Sequence, residues 1–160
     1  MVTLRPLTDE NRTAIVGLRL GAGQDRFVNS VEDALLEAEE EPGGRAIQWG
    51  LYDGDTPVGF VMISDEVDGP DYIAHYLWKL LIDADRQRRG YGSAALDLVA
   101  AYFRDRGVTE MWTSAGQGEG GPIPFYERYG FEQTGNIVFD NEVLLRLDLT
   151  EARPVRARRS

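Results

Sequence analysis

Leu80-Leu81-Ile82-Asp83-Ala84-Asp85-Arg86-Gln87-Arg88-Arg89-Gly90-Tyr91-Gly92-Ser93 is the stretch whose reading decides the fold. An apolar run ends at Ile82 and a polar loop turns. Two glycines then open a segment with Leu96, Val99, Ala100 and Phe103 at helical spacing, closed by Gly107. Gly90 and Gly92 have no Cβ, so the backbone can turn tightly and several N–H groups can converge on one anion. The helix start adds its dipole, and Arg86, Arg88 and Arg89 add formal charge. The stretch reads as a pyrophosphate cradle between a strand and a helix. Two other readings compete with it. The arginines could simply face solvent, or Gly90-Tyr91-Gly92-Ser93-Ala94-Ala95 could be a G-x-G-x-x-A dinucleotide fingerprint. That fingerprint opens the first unit of a large parallel sheet, whereas here several strands precede it and few residues follow.

Working outward, Val2 to Pro6 reads as a strand, and Thr8 caps a helix running to about Leu20. Ser30 opens a second helix that Pro42-Gly43-Gly44 stops. Ala46 to Tyr52 and Val58 to Ile63 are strands joined by the turn residues Asp53-Gly54-Asp55-Thr56-Pro57, and Ile73 to Ile82 is a longer strand. Beyond the central helix come a strand at Glu110 to Ser114, a Gly-rich loop at Ala115 to Gly121, and a short helix at Ile123 to Tyr129. Phe131 to Phe139 and Glu142 to Leu149 form a last hairpin turning at Asp140-Asn141. Consecutive strands favour antiparallel pairing, while the unit from Ile73 to Ser114 needs a parallel crossover. The fold class is therefore α+β: a mixed, mostly antiparallel central sheet with flanking helices. Residues 1–150 make one domain, and 151–160 read as a disordered Arg-rich tail.

The 160 residues carry 17 Lys plus Arg against 27 Asp plus Glu, a net charge of −10. The last ten residues contribute four Arg and one Glu, +3, so the rest of the chain stands at −13. Such a body repels phosphate backbones, which argues against nucleic acid as a partner, and attracts small cations. No Cys excludes a thiolate nucleophile, and a single His makes a metal site unexpected. Neither a secretory signal nor a membrane span is legible, so a cytoplasmic protein without membrane partners is expected. Monomer and homodimer both remain open.

Gln87-Arg88-Arg89-Gly90-Tyr91-Gly92 fits the Q/R-x-x-G-x-G/A motif, and the chain resembles the GNAT superfamily of N-acetyltransferases, which bind acetyl-coenzyme A. Phe125-Tyr126-Glu127-Arg128-Tyr129-Gly130-Phe131 resembles the superfamily's Y-x-x-x-G-F segment. Nearly the whole chain follows its element order, most similarly to bacterial spermine/spermidine-type acetyltransferases. The resemblance implies that backbone groups at Leu80, Leu81 and Ile82 hold the pantetheine arm and the acetyl carbonyl. Gln87, Arg88, Arg89, Gly90, Tyr91, Gly92 and Ser93 would take the pyrophosphate, with Arg128 nearby. Tyr126 would bind near the cofactor sulfur and act as general acid toward the leaving thiolate. The superfamily often has Asn where Glu119 stands, and Glu cannot donate an amide hydrogen bond to the arm.

The general base has three candidates. His75 and Tyr76 lie on the strand bordering the expected cleft, and strand alternation sends them to opposite faces. The third is a water relay to Glu66, Asp68 or Asp71. Those three acids, with Glu37 on the second helix, would suit a di- or polyamine on the acceptor side, although solvated loop charges explain them equally. Trp49 and Trp78 are expected in the core or the cleft wall. The expectation is acetyl transfer from acetyl-CoA to a primary amine by direct attack. A non-catalytic acyl-CoA-binding module, or an amino acid, antibiotic or peptide amine as acceptor, are the alternatives.

Overall fold

The computed structural model describes residues 1–21 and 30–150. Seven strands occupy Val2–Pro6 (β1), Ala46–Asp53 (β2), Thr56–Ser64 (β3), Tyr76–Ile82 (β4), Glu110–Gly116 (β5), Glu132–Val138 (β6) and Glu142–Asp148 (β7). Among the described residues, α-helices occupy Arg12–Val16 (α1), Val31–Glu40 (α2), Tyr91–Asp105 (α3) and Ile123–Tyr129 (α4). The strands form one sheet in the order β1-β2-β3-β4-β5-β7-β6. Among the described residues only β4 and β5 pair in parallel, joined by the α3 crossover, and every other neighbour is antiparallel. The expected mixed α+β class is what the sheet shows.

The apolar side chains of α3 (Leu96, Val99, Ala100, Phe103) and of α4 cover one face of the sheet with Leu51, Val61, Ile63 and Leu77. Ile15, Val31, Ala34 and Leu35 of α1 and α2 cover the other with Phe60, Met62 and Leu81. Alternation along β3 sends Val61 and Ile63 to the first layer and Phe60 and Met62 to the second. Ser30 caps α2 by accepting from the Asp33 N–H at 3.1 Å, as its position in the sequence demands. Tyr129 of α4 donates to Asp97 of α3 at 2.6 Å, which locks the two helices on one side of the sheet.

Three elements depart from expectation. The first helix starts at Arg12, because Thr8 and Asn11 exchange side-chain hydrogen bonds in a turn that precedes it. It ends at Val16, well before Leu20: the backbone of Arg19 is taken by Asp83 Oδ1 and by the Ala84 N–H instead. β4 begins at Tyr76 rather than Ile73, since His75 adopts φ 57°, a left-handed conformation that a strand does not accommodate. The last hairpin turns at Phe139-Asp140, the two residues with positive φ (49° and 73°), one step before the expected pair. The Arg-rich segment 151–160 lies outside the described residues.

Candidate active site

Parallel pairing between β4 and β5 lasts only for Tyr76↔Trp112 and Leu77↔Thr113. Beyond Leu77 the two strands diverge, and the β5-facing edge of Trp78–Ile82 has no strand partner. On its other edge β4 carries a bulge: Met62 opposes Lys79 and Ile63 opposes Leu77, leaving Trp78 as the extra residue. The bulge thus falls where the strands separate.

That opening is a cleft of about 400 Å³ walled by Leu80, Leu81 and Ile82 of β4, by the loop and first residues of α3, and by Gly121, Pro122, Phe125 and Tyr126. The loop is folded back on its strand, with Gln87 donating to the Ile82 carbonyl at 3.0 Å. Arg88 (φ 65°) and Gly90 (φ 81°) both take left-handed backbone, which swings successive N–H groups toward the start of α3. Arg86, Gln87, Arg88, Tyr91, Ser93 and Arg128 line the mouth, whereas Arg89 is exposed outside it. The Tyr91 hydroxyl donates to Asp53 at 2.7 Å, and this hydrogen bond holds the Asp53 carboxyl below its ordinary range. Gly92 has a second use: a Cβ there would lie 2.9 Å from the Phe125 ring, so the missing side chain lets α4 pack on the α3 start.

Tyr126 is 8% exposed and faces the cleft. Burial pushes its phenol up to about 12. Tyr76, at the start of β4, is equally buried. Its hydroxyl lies 2.6 Å from Ser114 Oγ, and burial raises its pKa well above the ordinary phenol value. Trp78 donates from Nε1 to Glu37 at 2.5 Å, and Lys79 Nζ stands 3.4 Å from the same carboxylate, which brings Glu37 of α2 to the bulge. Trp49 is in the core, edge-on to Tyr102.

The remaining candidates lie elsewhere. His75 is packed edge-on against Phe103, near the C-terminal end of α3, with Nδ1 3.2 Å from Asp65; the cleft is at the helix's other end. Glu66, Asp68 and Asp71 are exposed in the loop before β4. Asp68 is tied to the turn after α2, its N–H to the Gly43 carbonyl and its carboxylate 3.7 Å from Arg45. Glu119 is exposed and outside the cleft lining, which Gly120, Gly121 and Pro122 supply by themselves. Thr113, Ser114 and Glu142 reach the strand junction without having been singled out in the sequence. Nothing in their local spacing marks them.

A model of the acetyltransferase (GNAT) family matches residues 4–131. The chain belongs to that family. This GNAT chain is 25% identical over 148 residues to the spermine/spermidine N(1)-acetyltransferase of Bacillus subtilis (strain 168), covering 90% of this chain and 96% of the relative. Its fold is similar to that of PaiA N-acetyltransferase from Thermoplasma acidophilum in complex with coenzyme A, with TM-score 0.65 and 12% identity over 92% of this chain and 99% of that one. It is also similar to the ribosomal-protein-S18-alanine N-acetyltransferase from Escherichia coli, with TM-score 0.63 and 18% identity over 96% and 97%. The GNAT chain is an N-acetyltransferase. The two structural likenesses carry the fold and leave the acceptor open. Among the described residues, no helix is long and apolar enough to cross a membrane.

Proposed function

We propose that this acetyltransferase moves the acetyl group of acetyl-CoA to a primary amine by direct attack, with a di- or polyamine as acceptor. The observation that carries the reading is the divergence of β4 and β5 at the Trp78 bulge, which opens a cleft between the cradle and Tyr126. The residues present fit the co-substrate. Left-handed backbone at Arg88 and Gly90 and the side chains of Arg86 and Arg88 suit a pyrophosphate, and the free edge of Leu80–Ile82 suits an extended amide-bearing arm.

In this reading the thioester carbonyl sits at the bulge, where a backbone N–H stabilises the oxyanion. The amine enters from the α2 side and attacks. Tyr126, kept protonated by burial, gives its proton to the departing thiolate. With no Cys in the chain, nothing points to a covalent thioester on the protein. Glu37 at the bulge is the carboxylate best placed to meet a cationic acceptor, and Glu66, Asp68 and Asp71 add only long-range attraction. The 25% identical spermine/spermidine acetyltransferase supports a polyamine as well. Thiol release from acetyl-CoA, followed with spermidine, a monoamine, an amino acid and a peptide amine, tests the assignment. Turnover of spermidine well above the others is the expected result. Turnover of an amino acid or peptide alone would move the acceptor class.

A further inference from the structure

Tyr76, Ser114 and Glu142 come from β4, β5 and β7, strands that lie side by side in the sheet. Ser114 Oγ donates to Glu142 Oε1 at 2.6 Å and lies 2.6 Å from the Tyr76 hydroxyl. A serine has one hydroxyl proton, and this one is spent on the carboxylate, so Tyr76 must be the donor in the other bond. The chain therefore has a fixed polarity, Tyr76 to Ser114 to Glu142. The Tyr76 oxygen keeps its lone pairs for an incoming donor. It sits one residue before the last β4–β5 pair, beside the point where the strands part and within electrostatic reach of Tyr126 in the cleft wall.

We propose that Tyr76–Ser114–Glu142 is the exit path for the proton of the attacking amine, with Glu142 as its terminal acceptor. The proposal rests on the acetyl-transfer reading above. The ammonium gives one proton to the Tyr76 oxygen while the tyrosine's own proton passes to Ser114 and the serine's to the Glu142 carboxylate. The products are a neutral amine, unchanged hydroxyls and a protonated Glu142. The amine nitrogen then bonds to the acetyl carbon and the C–S bond breaks. Tyr126 protonates the thiolate and is restored by the second proton that the nitrogen loses. Glu142 is half-buried at the strand end and returns its proton to solvent.

No tyrosinate forms in this sequence, which suits Tyr76. Burial disfavours its ionised form, and Glu142, Tyr126 of α4 and Glu37 of α2 all press in the same direction. Phe139 of the β6–β7 turn packs edge-on to the ring, with centroids 6.1 Å apart. Tyr76 is the group that would touch the amine. Ser114 and Glu142 act through it.

The test is the pH profile of kcat for wild type, Glu142→Gln, Ser114→Ala and Tyr76→Phe with saturating amine. Each substitution should lower kcat by roughly 10- to 100-fold, within the range of general base catalysis, and leave the acetyl-CoA KM unchanged. Glu142→Gln still accepts from Ser114 but takes no proton, so the inflection on the acid limb should vanish. A Ser114→Ala/Glu142→Gln double variant should fall no further than either single one, because a relay fails as a unit. Wild-type kcat in Glu142→Gln with the acid limb intact would overturn the relay alone, and so would additive losses in the double variant. A wild-type protein that acetylates no amine would overturn the transfer reading and the relay with it.

Discussion

Gly92 and Phe125 are packed so closely that a Cβ at position 92 would come within 2.9 Å of the aromatic ring. The glycine is thus required by a neighbouring side chain on α4 as well as by the turn into α3. The same contact sets where Tyr126, the next residue, meets the cleft. Loop and Tyr126 are one mechanical unit.

Gly92→Val should therefore displace α4 and weaken acetyl-CoA binding by about tenfold or more, since a β-branched side chain next to backbone and ring has no room. Phe125→Ala in the same chain should recover part of that loss by removing the obstacle. Calorimetric titration of the single and double variants measures both. Equal affinities for wild type and Gly92→Val would show that the approach at this position is not needed. Gly90→Ala serves as the contrast. Its Cβ meets nothing within 4 Å, but φ of 81° strains any side chain, so it should lose stability without a steric effect on α4.

Tyr126→Phe keeps the ring and removes the proton. A fall in kcat of roughly 10²–10⁴ with an unchanged acetyl-CoA KM is expected for a lost general acid. The pH sign follows from burial. The acid acts while protonated, and with its pKa near 12 it stays so throughout the neutral and mildly alkaline range. The wild-type kcat should accordingly show no decline due to this group below about pH 10, the ordinary phenol value. Stability carries the same sign: the contribution of protonated Tyr126 is complete below the unfolded value near 10 and is lost as pH rises toward 12. Alkaline melting curves of wild type and Tyr126→Phe check this, the variant being less pH-sensitive.

What could be read from the sequence was local. The 86–93 loop announces itself through two glycines and three arginines, and the amphipathic spacing of α3 fixes which side faces the sheet. The Trp78 bulge is a mismatch between β4 and β3, and no property of Trp78 alone reveals it. Ser114 and Glu142 become neighbours only through the β5–β7 pairing, which a linear reading does not register. His75 misled for a different reason. Its flanking residues suit a strand, but its left-handed backbone and its bond to Asp65 turn it to the far end of α3. The length of α1 was set by a distant competitor, the Asp83–Ala84 segment that binds Arg19.

His75→Asn is the substitution that tests this displacement. Asn tolerates left-handed backbone better than most residues, so the change removes the ring from Phe103 and Asp65 without adding strain. The melting temperature should drop by several degrees, as for a loss of about 1 kcal/mol in a domain of this size. The pH profile of kcat should stay as in wild type. A lost or shifted acid limb in this variant would restore His75 to the proton path.

The acceptor class is tested at Glu37. Its carboxylate is held by Trp78 Nε1 and lies 3.4 Å from Lys79, at the β4 bulge where the proposed reading has the amine enter. Glu37→Gln should raise KM for spermidine severalfold more than for a monoamine, because only the polyamine brings a further cation to that carboxylate. Joint neutralisation of Glu66, Asp68 and Asp71 should act differently, since these acids are exposed and Asp68 already faces Arg45. Its effect should be confined to the salt dependence of kcat/KM, which shrinks as the Debye length falls from about 10 Å to about 3 Å. Steady-state kinetics with both amines at low and high salt separate the two contributions. Equal KM changes for spermidine and monoamine in Glu37→Gln would mean that Glu37 only supports the bulge, and the polyamine preference would then need another carboxylate.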